Sequence, residues 1–156
     1  MDILGESART ADEADASVSH YLAFIDAIKR QDILLPFGEH HHHKPVSISV
    51  KLSAICHNIL ELPESASGIT IEPLYYSLGN IVRAAEESGI PVTIDMEDSR
   101  FTDITLETAD ALWLQGHTNV GIVLQSRLYR TPDDITSIAN NLAHYSLPSE
   151  NIRVRA

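Results

Sequence analysis

Short β-branched runs alternate with longer segments whose apolar residues recur at helical spacing. This order constrains the fold more than any other feature of the chain. Val46-Ser47-Ile48-Ser49-Val50-Lys51-Leu52, Val92-Thr93-Ile94-Asp95-Met96, Asn119 to Gln125 and Ile152-Arg153-Val154-Arg155 read as strands, with a shorter candidate at Asp2 to Leu4. Between them lie four helical patterns. Asp12 to Lys29 carries Ala14, Val18, Tyr21, Leu22, Ile25 and Ile28 on one face. A second pattern opens at Pro73 and shows Leu74, Leu78, Ile81, Val82 and Ala85. The third runs from Thr105 to Gln115, and the fourth, led by Thr131-Pro132-Asp133-Asp134, shows Ile135, Ile138, Ala139 and Leu142. Gly89 and Gly116 stand where left-handed caps end helices, and Thr131 reads as an N-cap before a proline. The order is β-α-β-α-β-α-β-α-β. Strands joined through single helices need crossover connections, so the sheet is parallel and helix-covered.

Two α/β architectures fit: an open doubly wound sheet, or part of a (β/α)8 barrel of the TIM type, with about five parallel strands and four helices. A whole barrel takes about 250 residues, whereas this chain has 156. The expected organisation is one domain over residues 1–156. With 11 Lys+Arg against 22 Asp+Glu the net charge is −11, a poor surface for nucleic acid or anionic lipid. One cysteine, Cys56, excludes a disulfide framework. No apolar run approaches the ~20 residues of a membrane span, and a cytoplasmic location is expected.

In parallel α/β folds ligands bind beyond the carboxyl ends of the strands. There the second strand presents Lys51, the third Asp95 and Glu97, the fourth Gln125 and the fifth Arg153. Four successive strands ending this way suggest a shared polar pocket. Asp95 and Glu97 lie two apart, so a continuing strand would turn both carboxylates to one side. Such a pair can serve acid–base chemistry, bind a metal, or neutralise Lys51 and Arg153, which is the commonest use. The Gln125 amide suits a heteroaromatic ring edge or, equally, a neighbouring loop backbone. Other signals are weak. His40 to His43 read as a solvated loop, no specific metal site is expected, and Ser53 lacks the glycine-flanked elbow of an acyl-transfer nucleophile. There is no Gly-x-Gly-x-x-Gly and no phosphate-binding P-loop, and Cys56 reads as inert.

The same stretches resemble the proline dehydrogenase family. Asp2-Ile3-Leu4-Gly5-Glu6 is similar to its first barrel strand, and Ser47 to Ser53 to its lysine-bearing second strand. Ile94-Asp95-Met96-Glu97-Asp98 resembles the aspartate strand, Asn119 to Gln125 the glutamine strand, and Ile152-Arg153-Val154 the start of the arginine strand. The resemblance implies a distorted (β/α)8 barrel with FAD at the carboxyl ends of its strands. It further implies oxidation of L-proline to 1-pyrroline-5-carboxylate, and a membrane quinone that reoxidises the flavin through peripheral contact at the inner face of the membrane. By the match, Lys51 binds the substrate carboxylate and Asp95 and Arg153 belong to the reaction centre. Met96, chiefly through its backbone, and Gln125, through its amide, line the cofactor.

Two departures stand out. Ser126-Arg127 follows the glutamine where many members have Ala-Tyr, and the arginine strand stops at Arg155-Ala156. The chain is thus expected to carry about the first half of the family's barrel. Its Asn119 and Ile152 strands would face missing partners, and an interior of Val50, Ile94 and Val123 would lack its opposite wall. Such a chain is expected to be poorly soluble or oligomeric, and to hold FAD weakly. A non-catalytic half-barrel serving as an interaction module is the alternative. A metal-assisted lyase or hydrolase using Asp95, Glu97 and a histidine ranks last.

Overall fold

The computed structural model describes residues 7–30, 46–61, 72–147 and 154–155. In chain order these form α1 (Ala11–Arg30), β1 (Ile48–Lys51), α2 (Leu52–Ile55), α3 (Glu72–Glu87), β2 (Val92–Asp95), α4 (Thr102–Leu114), β3 (Val120–Val123), α5 (Thr131–His144) and β4 (Val154–Arg155). The strands form one sheet in the order β1-β2-β3-β4, and every neighbouring pair is parallel. The Asp2 to Leu4 candidate, Arg153 and the run His40 to His43 lie outside the described residues.

Spatial order follows chain order without reversal. A doubly wound sheet must reverse somewhere, because its helices cover both faces. Right-handed crossovers between sequential parallel strands put all the helices on one face, as in a barrel segment. Neighbour relations agree: α1 packs on α3, α3 on α4 and α4 on α5.

Side-chain alternation then assigns the two faces of the sheet. Ile48, Val50, Val92, Ile94, Val120 and Ile122 are fully buried in the same apolar core as Leu74, Leu78, Ile81, Val82, Leu112 and Trp113 of the helices. The opposite parity carries Ser49, Lys51, Thr93, Asp95, Gly121 and Val123. This corrects the expected barrel interior. Val50 and Ile94 sit one residue out of step with Lys51 and Asp95, so they face the helices, and of the three expected interior residues only Val123 shares the lysine's parity.

Three helices end in one way. Gly89 (φ 64°) follows α3, and the chain closes with Gly89 N–H on Glu86 O at 2.9 Å and Ile90 N–H on Ala85 O at 2.8 Å. Gly116 (φ 88°) repeats the geometry after α4, with bonds to Trp113 O at 2.8 Å and, from His117, to Leu112 O at 3.1 Å. Both glycines act as the left-handed caps their positions predict. After α5 the same pair of bonds is closed by Ser146 at φ 56°, a conformation that serine adopts only at a cost. These tight reversals deliver the chain to the next strand. Trp113 Nε1–H donates to Val120 O at 3.2 Å, and Asn119 Nδ2 reaches Val82 O and Ile90 O, both at 3.3 Å.

Several expected boundaries move. The second strand occupies Ile48–Lys51 rather than 46–52, because a single helical turn, α2, starts at Leu52 directly after the lysine. The helix expected from Thr105 begins at Thr102, led in by a 3₁₀ turn at Ser99–Phe101 in which the Asp98 carboxylate accepts from the Arg100 N–H. Thr131 is the first helical residue of α5, not its cap. Its hydroxyl donates back to Gln125 O at 2.6 Å, while Arg130 bridges Asp134 and Asp103. The buried stripe of α5 is Thr131, Asp134, Ile138 and Leu142, leaving Ile135 and Ala139 exposed.

Candidate functional site

The parallel sheet brings its carboxyl ends to one edge, and the strand-end side chains meet there. Lys51 and Asp95 are paired in register on β1 and β2. The Lys51 ammonium approaches Asp95 Oδ2 at 3.4 Å, with 33% of the lysine side chain and 22% of the aspartate side chain exposed. The pair is therefore a partly buried cation and anion beside open solvent, a position from which either charge can still meet a ligand.

Glu97 does not continue the alternation, because β2 stops at Asp95. Its carboxylate turns instead to the start of α2. Oε2 accepts from Ser53 N–H at 3.1 Å and Oε1 accepts from the Ser53 hydroxyl at 2.6 Å. Asp95 and Glu97 thus have separate partners and do not form one paired-carboxylate centre. Nor was Ser53 legible as more than a failed nucleophile. It is 3% exposed, its carbonyl accepts from Ala8 N–H at 2.9 Å, and Ser7 Oγ donates to its hydroxyl at 3.0 Å. A small hydroxyl residue two places after a strand-end lysine was the available signal.

Gln125, two residues past β3, sends Nε2–H to Glu97 O at 3.4 Å, and its Oε1 accepts from Arg127 at 3.4 Å. This matches the loop-capping alternative for the amide. Both contacts are long, so one N–H and much of the oxygen's accepting capacity remain available to a ligand. Met96 is half-buried at the same edge, in the three-residue stretch that leaves β2. The structure brings Lys51 and Asp95 into contact at this rim and ties Gln125 to the Glu97 backbone, whereas the Met96 side chain packs against the apolar core. Arg153 lies outside the described residues.

Cys56 follows α2 and is buried; burial pushes its thiol above the ordinary range, against a smaller opposing effect of the Asn58 backbone. Together with Ser53, His57 and Phe101 it lines a cavity of about 230 Å³. Among the described residues no group of three His, Cys, Asp or Glu side chains is placed to hold a metal ion.

Comparison with known proteins interprets this rim. The family described as proline dehydrogenase matches residues 1–153 of the sequence. The chain belongs to the proline dehydrogenase family. Its fold is that of the corresponding segment of solved proline utilization A (PutA) proteins. PutA from Bdellovibrio bacteriovorus inactivated by N-propargylglycine superposes with a TM-score of 0.83 at 23% identity, over 98% of this chain and 16% of that one. A mutant PutA from Bradyrhizobium japonicum gives 0.77 at 21% identity, over 99% and 15%. A PutA with proline bound in remote sites also gives 0.77 at 21%, over 99% and 15%. The chain therefore spans about a sixth of the length of these proteins, and at such identity the likeness concerns the fold. No curated protein sequence matches it closely enough to count as a relative. Family and fold agree with the expected barrel segment; four of its five expected strands form the described sheet, and the fifth, at Asp2 to Leu4, lies outside the described residues.

Proposed function

We propose that the chain forms part of a flavin-dependent proline dehydrogenase site, oxidising L-proline to 1-pyrroline-5-carboxylate. The observation that carries this reading is the Lys51–Asp95 pair at the rim of a parallel sheet, in a chain of the proline dehydrogenase family. In this reading the described sheet forms part of a barrel wall.

The donor set at the rim fits FAD. A partly committed amide at Gln125 can both donate to and accept from the edge of a pyrimidine ring, and the backbone around Met96 offers polar groups that no helix or strand uses. FAD, when bound, would supply the acceptor for the two electrons that leave proline. The remaining work falls to side chains. The Lys51 ammonium holds the proline carboxylate as a strongly charged donor. Asp95 keeps that ammonium at the rim and offers a negative charge to the substrate's ammonium group. Starting from the ammonium form, proline gives up a proton from nitrogen and a hydride from C5 to become the protonated cyclic imine, which releases its remaining N–H proton to solvent as the neutral imine. Arg153, by the resemblance, adds positive charge beside the ring. A quinone is the acceptor proposed for the stored electrons. No described helix is long and apolar enough to cross a membrane. Peripheral contact with a membrane quinone from the cytoplasmic side is part of this proposal, as the family resemblance implies.

Dye-coupled turnover with added FAD tests the division of labour. Lys51→Ala should raise the KM for proline by about 10-fold or more, the effect of losing a charge-assisted hydrogen bond, with little change in the FAD requirement. Gln125→Ala should raise the FAD requirement and leave the proline KM close to the parent value. The opposite pattern would reverse the assignment of the two sides of the rim.

A further inference from the structure

We infer that Glu97 is a positioning residue for Lys51, acting through Ser53 and the first turn of α2. Lys51 is both the last residue of β1 and the N-cap of α2, with extended backbone (φ −93°, ψ 125°) and no side-chain bond to the helix it caps. A helix start without a cap leaves N–H groups unsatisfied and the capping residue free to fray. Here the cap comes from the loop that leaves β2. Both Glu97 oxygens engage Ser53, one on its N–H at 3.1 Å and one on its hydroxyl at 2.6 Å. A carboxylate at a helix start also suits the partial positive charge of its N–H groups.

Ser53 is two residues from Lys51, so clamping its N–H and hydroxyl restrains the helical turn that starts directly after the lysine. The clamp is tied in turn to β3, through Gln125 Nε2 on Glu97 O, and to the chain preceding α1, through Ser7 and Ala8. Glu97 therefore couples the ends of β1, β2 and β3, its carboxylate toward Ser53 and its backbone carbonyl toward Gln125. Its structural effect is to keep the Lys51 ammonium against Asp95 instead of in open solvent. The importance of that placement for substrate rests on the reading of Lys51 given above.

The test is acylation of lysine amines in the purified chain, with each site quantified by peptide mass spectrometry. Exposed Lys29 on α1 is the internal reference. An ammonium held against a carboxylate acylates slowly. Glu97→Gln should speed Lys51 relative to Lys29 at least about fivefold, the scale for loss of one charge-assisted hydrogen bond. Ser53→Ala, which keeps the N–H contact, should give a smaller rise. An unchanged Lys51 rate, or an equal rise at Lys29 reporting general opening, would overturn the inference. A second arm adds FAD and L-proline. Proline should slow acylation of Lys51 in the parent chain, and Glu97→Gln should need about tenfold more proline for the same protection, a change of ~1.4 kcal/mol in affinity. Equal protection in both chains contradicts positioning. Absent protection in the parent chain contradicts the substrate reading, while the Lys51-to-Lys29 ratio still decides the role of Glu97.

Discussion

Removing the Lys51–Asp95 contact should destabilise the chain by an amount that the structure lets one work out. At 3.4 Å, with an effective dielectric constant of ~20, the gross attraction between the two charges is about 5 kcal/mol. Neither group is dry: 33% of the lysine side chain and 22% of the aspartate side chain remain exposed. Screening, desolvation and the entropy of holding a long lysine side chain reduce the net coupling to about 1–2 kcal/mol. A double-mutant cycle of Lys51→Met, Asp95→Asn and the double variant, followed by urea unfolding at low salt, isolates that quantity. The double variant should recover part of what Asp95→Asn loses, because it no longer strands an ammonium at the rim. In ~1 M salt the coupling should fall to less than half, since the Debye length shrinks to about 3 Å. Additivity within about 0.3 kcal/mol at low salt would refute the argument, because the two groups would then be neighbours without being partners.

Three other expectations concern the frame that carries the rim. Ser146→Gly should raise stability by about 0.5–1 kcal/mol, as glycine occupies the left-handed cap of α5 without the cost of a Cβ; a loss of stability in urea unfolding would mean that the serine hydroxyl matters more than the strain. Trp113→Phe removes the donor to Val120 O from a fully buried site and should cost about 2 kcal/mol, lowering the urea midpoint without changing the slope. Tyr145 donates its hydroxyl to Asp110 Oδ2 at 2.8 Å, and that bond, with a smaller effect of burial, lifts the phenol above its ordinary range. A raised folded-state value favours the protonated form, so the contribution is complete below the ordinary phenol pKa of ~10 and is lost as pH rises through the folded value. Melting curves should therefore fall more steeply with alkaline pH in the parent chain than in Tyr145→Phe.

Much of the frame was legible because each piece has a local cause. Alternation marked β2, a nearly continuous apolar run marked β3 and helical spacing marked α3, and Gly89 and Gly116 announced two helix ends by a backbone angle that few other residues tolerate. The third end was hidden, since Ser146 adopts the same angle without the residue that signals it. Boundaries failed where a neighbouring element intervenes. Nothing in Lys51-Leu52-Ser53 shows that a helical turn begins there, because the carboxylate that caps it, Glu97, stands just past β2 and 44 residues from Ser53. The same cause decides among the uses open to Asp95 and Glu97: Asp95 meets Lys51, the neutralising use, while Glu97 turns to Ser53. Spacing two apart implies a shared side only while the strand lasts, and β2 ends at the first of them. The face of Val50 and Ile94 was also misread, although parity with Lys51 and Asp95 was available in the sequence. The rim itself was anticipated in kind, as charged and amide groups at strand ends. The observation that its Lys51 and Asp95 meet needed the parallel register.

The most direct measurement is anaerobic addition of L-proline to the chain reconstituted with FAD, following the flavin's visible absorbance with no dye present. Bleaching that saturates with proline, and that weakens in Lys51→Ala, is the predicted result. Flavin that binds the parent chain yet keeps its oxidised spectrum at saturating proline would contradict a proline-oxidising rim built on Lys51 and Asp95.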